Sequence, residues 1–223
     1  MTLQTRILVL LASVSMAGSA TAGYIAEDIP AWRGHENASY YNWESFTSAD
    51  ASTGPNFPSN ESPPTGNALL FNFGEGAMIS GDNNIYGYWG ALNIHTYAYA
   101  TQDVQAVVAN ISMHGTELLY DNVMLAMNDI DGASLGSIMG VATLNYWEEV
   151  DFGGGIGAIA NVSYSFDLSG IDGDVVELGL IFATAGPHSS LDAVTLDFHV
   201  GSVPSAGGLA LLGLAGFGRR RRR

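Results

Sequence analysis

The chain has 223 residues, no cysteine and no lysine, and sets 22 acidic side chains against seven arginines. The missing cysteine excludes a disulfide framework, Cys-ligated zinc, iron–sulfur clusters and cysteine catalysis; the missing lysine excludes Schiff-base chemistry and a P-loop phosphate site. Residues 24–202 hold a single arginine, Arg33, and all 22 carboxylates, so this stretch repels nucleic acid and anionic lipid and attracts divalent cations.

In chain order, the first element is an export signal. Arg6 supplies a positive start, Ile7 to Ala12 opens an apolar run toward Ala17, and Ala20-Thr21-Ala22 has the small-residue pattern of a cleavage site. The reading is a signal helix over 1–22, handled by the Sec machinery and signal peptidase, with a mature chain beginning at Gly23. An acidic domain follows over 23–202. Residues 47–66 are rich in Ser, Pro, Asn and Gly and read as a long surface loop.

Beyond that loop, alternation with a period of two dominates. Val162, Tyr164, Phe166 and Leu168 alternate with Asn161, Ser163, Ser165 and Asp167. Val194, Leu196, Phe198 and Val200 alternate with Thr195, Asp197 and His199. Both patterns describe strands with one face in the core and one toward water. Ala68–Phe73, Leu92–Ala100, Val104–Ser112, Thr116–Tyr120, Val123–Met127 and Val175–Phe182 also read as strands. They are separated by turn clusters at 81–84, 131–132, 153–155 and 172–174. No stretch between the two ends shows a helical period. The expectation is an all-β domain, an antiparallel β-sandwich or jelly roll, flanked by the signal helix and a short C-terminal apolar helix.

Few motifs carry chemistry. Gly132-Ala133-Ser134-Leu135-Gly136 matches G-x-S-x-G, but a nucleophile elbow needs a helix after the serine. The following 137–141 is glycine-broken and strand-like. None of His35, His95, His114, His188 and His199 forms a metal-binding pair, and His95 and His199 fall on the polar phase of strands. Glu148, Glu149 and Asp151 read as a solvated acidic turn. The aromatic residues form a denser pattern: Tyr86, Tyr88 and Trp89, then Tyr97 and Tyr99, with each i, i+2 pair sharing a face. Such rings either stack on sugars or pack within the protein. Asn128, Asp129 and Asp131 before Gly132 form a fragment of a calcium loop, with Ile130 interrupting it. The same residue types favour ordinary turns.

The last element is a tail over 203–223. Val203-Pro204-Ser205-Ala206 leads into Gly207–Gly218, and the chain ends in Arg219, Arg220, Arg221, Arg222 and Arg223. From Val203 to Gly218 a helix spans about 24 Å at ~1.5 Å per residue, short of a ~30 Å hydrocarbon core. The arginines would stay on the cytoplasmic side. This tail resembles the PEP-CTERM sorting signal, with Ser205-Ala206 where that signal has Glu-Pro. Gly207-Gly208 is also similar to the related GlyGly-CTERM signal. The resemblance implies an exported protein inserted transiently in the inner membrane and processed by an exosortase-like or rhomboid-like protease. Its destination would then be the cell surface or the medium. Upstream, Ser190 to Leu196 resembles the last strand of jelly-roll domains and of some carbohydrate-binding modules. That resemblance implies that Asp192 helps hold a structural calcium ion, the one cofactor expected. The functional expectation is a non-catalytic cell-surface or extracellular-matrix component. The alternatives are a module binding extracellular polysaccharide and, less favoured, a secreted hydrolase.

Overall fold

The computed structural model describes residues 26–63 and 67–201. The signal helix, the cleavage site at Ala20, Ala22 and Gly23, and the whole sorting tail lie outside the described residues. Among those residues no helix is long and apolar enough to cross a membrane.

The described residues form thirteen strands: β1 Ala38–Trp43, β2 Asn60–Ser62, β3 Ala68–Asn72, β4 Ala77–Ile79, β5 Ile85–Gly87, β6 Asn93–Tyr99, β7 Val104–Gly115, β8 Met124–Asn128, β9 Ser134–Met139, β10 Val141–Asp151, β11 Ile156–Asp167, β12 Glu177–Ala183 and β13 Ser189–Val200. They form two antiparallel sheets packed as a sandwich, the fold class expected from the alternation. Sheet A runs β10-β11-β7-β13-β1-β2, with β5 on the early part of β13 and β4 on β5; sheet B runs β3-β6-β12-β8-β9. The last strand, β13, therefore lies inside sheet A, between β7 and β1.

The core fills the space between the sheets. Trp43, Tyr41, Phe198, Ile111 and Tyr164 come from sheet A, and Leu70, Ile94, Leu125 and Phe182 from sheet B. Burying each of these side chains contributes roughly 1.5–3 kcal/mol. The polar ends of the large rings are satisfied: Trp43 Nε1 donates to the Asn56 carbonyl at 3.1 Å, and the Tyr164 hydroxyl to the Tyr120 carbonyl at 3.1 Å.

The polar phase of sheet A does not face water. An extended N-terminal strap, residues 26–37, crosses it. The Ala26 N–H donates to Asn161 Oδ1, the Asp28 N–H to Asn110 Oδ1, and Asn110 Nδ2 back to the Asp28 carbonyl. Trp32 covers His199, with ring centroids 5.7 Å apart. Thr195, Asp197 and His199, expected at a solvent face, are buried beneath it. Arg33 fixes the strap with a two-pronged bond to Asp197 at 2.7 and 2.6 Å, a third bond to Glu27 at 2.5 Å, and a guanidinium 4.3 Å from the Tyr40 ring centre. The domain's single cation is thus spent on its own fold.

Two expected local structures are corrected. Thr116–Tyr120 is not a strand. Only Leu118 makes a bridge, to Thr184, and Tyr120 enters a short 3₁₀ turn. Glu148, Glu149 and Asp151 are not a turn but the end of β10, an edge strand with a bulge between Leu144 and Tyr146. Both faces of β10 are largely exposed, so its sequence carries no alternation.

One close approach depends on glycine. Gly115 closes β7 at φ +89°, and an added Cβ would stand 2.0 Å from the His188 carbonyl oxygen. Gly115→Ala is expected to destabilise the domain by about 2 kcal/mol or more, combining a left-handed backbone with a main-chain clash. An unchanged urea midpoint would contradict this.

Candidate functional site

Among the described residues, the outer face of sheet B carries no strap like that of sheet A, and its side chains are partly exposed. The alternation of β3 and β6 sends Ala68, Leu70, Ile94, Thr96 and Ala98 inward and leaves Leu69, Phe71, His95, Tyr97 and Tyr99 on the outside. Strand register then assembles residues distant in sequence. Phe71 pairs with His95, which pairs with Ile181. Leu69 pairs with Tyr97, Tyr97 with Gly179, Gly179 with Ala126, and Ala126 with Ser137. Tyr99 lies opposite Glu177, which lies opposite Asn128. Phe73 extends the β3 edge, its N–H bonded to the Asn93 carbonyl at 2.7 Å.

The rings form a continuous cluster. Phe71 contacts Phe73 at 5.9 Å and Tyr97 at 6.0 Å, and His95 lies 4.7 Å from Phe73. Phe73 and Tyr99 are each 48% exposed, so the cluster reaches water at both ends. Along β6, from Asn93 to Tyr99, the face is about 20 Å long at ~3.4 Å per residue.

Beside the rings lie Gly179, which is buried, and Ala126, which is half-buried. A Cβ on Gly179 would meet nothing nearer than 3.8 Å, and its φ is not in the left-handed region. Neither packing nor backbone geometry therefore requires glycine there. A glycine inside a strand weakens it, since it has no side chain to pack.

Polar groups border the rings. His95 Nε2 lies 3.2 Å from Asn93 Oδ1, and Nδ1 lies 3.4 Å from the Tyr97 hydroxyl. Burial lowers the His95 pKa below its ordinary 6.5, so the ring is neutral at pH 7. Asn128 Nδ2 donates to Glu177 at 2.9 Å. A hydrogen bond to the same carboxylate raises the Tyr99 pKa, with burial adding to it. The face presents flat apolar rings, neutral donors and acceptors and one carboxylate. It suits a neutral polyhydroxylated ligand whose apolar ring faces stack on aromatic residues.

The five aromatic residues singled out in the sequence divide between two places. Tyr97 and Tyr99 stand on this open face. Tyr86 stands on the outer side of sheet A, where its neighbour is Ser190 of β13; Tyr88 and Trp89 follow it, 4.4 Å apart, with Trp89 78% exposed. Sequence reasoning missed Phe71, Phe73 and Gly179 and set His95 aside. The only local signal was the i, i+2 spacing of Phe71 and Phe73.

The metal candidates also divide. Asn128 is on sheet B, bonded to Glu177. Asp129 Oδ1 accepts the N–H groups of Asp131 and Ala133, closing the turn that Asp131 occupies. Asp192 is on sheet A, buried against Asn84 and His114. These donors do not converge, and no step is assigned to calcium. Among the described residues no group of three or more His, Cys, Asp or Glu side chains is placed to hold a metal ion. Ser134 opens edge strand β9, and its Oγ accepts the Gly136 N–H at 3.2 Å.

No family model matches the chain, and no curated protein matches it. Among solved structures, the chain is similar to a carbohydrate-binding module, TmCBM27, described for specific mannan recognition. The identity is 13%, the match covers 72% of this chain and 89% of that one, and the TM-score is 0.27.

Proposed function

We propose that this domain is a non-catalytic polysaccharide-binding module of an exported surface or matrix protein, and that the open face of sheet B is its binding face. The observation that carries this reading is the aromatic surface of Phe71, Phe73, His95, Tyr97 and Tyr99, half-buried at its centre and exposed at Phe73 and Tyr99. A solvent-facing sheet is ordinarily polar, and contiguous exposed apolar surface marks an interaction site. An open face admits the middle of a long chain. Chain carboxylates would repel anionic polymers, so the partner is a neutral polysaccharide. The N-terminal signal and the arginine-ended tail supply the address in this reading, with export first and tail processing after it.

The direct test is retention of the full-length chain in affinity gels containing neutral gluco-, manno- or xylo-polysaccharides, with a uronic acid polymer as control. Retarded migration in at least one neutral gel, and none in the uronate gel, is the expected result. Unretarded migration in every gel defeats the reading. Cell fractionation with intact-mass analysis tests the address separately.

A further inference from the structure

A second concave site lies on the opposite side of the sandwich, beyond the start of the strap. Its volume is about 520 Å³, within the range of small-molecule pockets. The floor is a row across sheet A, in which Tyr86 neighbours Ser190 and Ser190 neighbours His114. One wall is the glycine-rich hairpin after Phe152, and the other is the turn carrying His188.

Several features of this pocket are costly for the fold and unexplained by it. His188 has φ +65°, a conformation few non-glycine residues adopt, and such strain concentrates at functional sites. Its backbone is pinned by bonds from the Thr116 N–H to its carbonyl at 3.1 Å and from its own N–H to the Gly87 carbonyl at 2.6 Å. That geometry sets the imidazole Nδ1 3.1 Å from the Tyr86 hydroxyl. Beneath the floor, a bulge between Leu191 and Ala193 turns Asp192 out of the ladder. Its carboxylate, 1% exposed, lies 3.0 Å from His114 Nε2 and accepts from Ser190 Oγ at 3.3 Å and from Asn84 Nδ2. The buried carboxylate thus lies against both polar residues of the floor, bonded to Ser190 through Oδ1 and beside His114 Nε2 through Oδ2, and the other His114 nitrogen is Nδ1.

The lining selects by elimination. It contains no arginine or lysine to hold an anion. No carboxylate lines the pocket, and Asp192 lies buried beneath its floor, so a cation finds no carboxylate on the pocket surface. Tyr86, Phe152 and His188 offer ring faces; hydroxyl, imidazole and the backbone of Gly154 offer hydrogen bonds. A neutral sugar ring matches both sets.

We propose that this pocket is a second saccharide site, one that takes the end of a neutral glycan chain, where the face of sheet B takes its middle. The two sites lie on opposite outer faces, so the domain is bivalent and ties one polymer strand to another. The cross-linking part rests on the reading of sheet B given above.

The test uses the full-length chain with neutral gluco-, manno- and xylo-hexaoses, each carrying a photoreactive diazirine at its reducing end. After irradiation, labelled peptides are mapped by mass spectrometry. The expected result is label both on segments 67–73 and 93–99 and on segments 86–89, 152–157 and 188–190. Tyr86→Ala with Phe152→Ala should reduce the second set about tenfold and leave the first unchanged. Label on the first set alone overturns the pocket and leaves the sheet B reading standing. Label on the second set alone upholds the pocket as a saccharide site and overturns the sheet B reading, and the cross-linking with it. No label at millimolar hexaose overturns both.

Discussion

Arg33→Met is expected to lower the stability of the domain by about 3–5 kcal/mol, because it leaves a buried carboxylate without its counter-charge. Asp197 is fully buried, and Arg33 meets both of its oxygens. Removing the guanidinium also frees Glu27 and uncovers Tyr40, so the strap loses its fastening; lifting of the strap brings the loss toward the lower figure. Arg33→Lys should fall between, since an ammonium keeps the charge but not the planar fork. Arg33→Met combined with Asp197→Leu should recover most of the loss, as apolar pairs replacing buried ion pairs often do. Urea unfolding of the four proteins measures all of this, and an Arg33→Met variant as stable as the parent would show that the pair does not hold the strap.

The same pair predicts a pH dependence. Burial pushes the Asp197 carboxyl up to about 6, outweighing the pull of Arg33. The folded state therefore takes up this proton at a higher pH than the unfolded chain. Asp197's favourable contribution is complete below the ordinary carboxylate value near 3.8 and is lost as pH rises through about 6. Without Arg33 the window extends to higher pH. The gap between parent and variant should thus widen from pH 5 to pH 8; a gap constant across that range would contradict the assignment.

The second large effect falls on binding. Tyr97→Ala is expected to weaken polysaccharide binding about 30-fold, the loss of about 2 kcal/mol typical of a central aromatic anchor. Gly179→Ala should gain roughly 0.5–1 kcal/mol of stability, because the strand no longer carries an unneeded glycine. Gly179→Val, which adds branched bulk at the buried position opposite Tyr97, should weaken binding. Affinity gels and urea curves on the same preparations separate the two roles. Full binding by a folded Gly179→Val would mean that ligand does not reach the surface over Gly179.

The sandwich was legible because alternation is local. Val162 to Leu168 and Val194 to Val200 announce which side chains enter the core, and the strands follow. What covers the other side is not local. Asp197 and His199 alternate as solvent-facing residues would, yet a segment some 165 residues earlier in the chain lies over them. The binding face shows the same limit. Spacing placed Tyr97 and Tyr99 together, but only the β3–β6 register brings Phe71 beside His95. Tyr86 and its neighbours looked equivalent and lie on the other sheet, since short strand β5 pairs with β13. Gly179 carried no signal among 28 glycines; only strand register places it opposite Tyr97.

The place of β13 has a kinetic consequence. This strand is the last of the domain in sequence, yet it joins β7, β1 and β5. A nascent chain holding every earlier strand still has a gap through the middle of sheet A, with β1 unable to reach β7. Roughly 150 residues separate β1 from β13, which at ~5–20 residues per second is about 8–30 s of synthesis. Closure by so distant a partner is also intrinsically slow. Sheet A therefore closes only after its final described strand has been synthesised, and until then β1 and β7 keep unpaired edges toward each other.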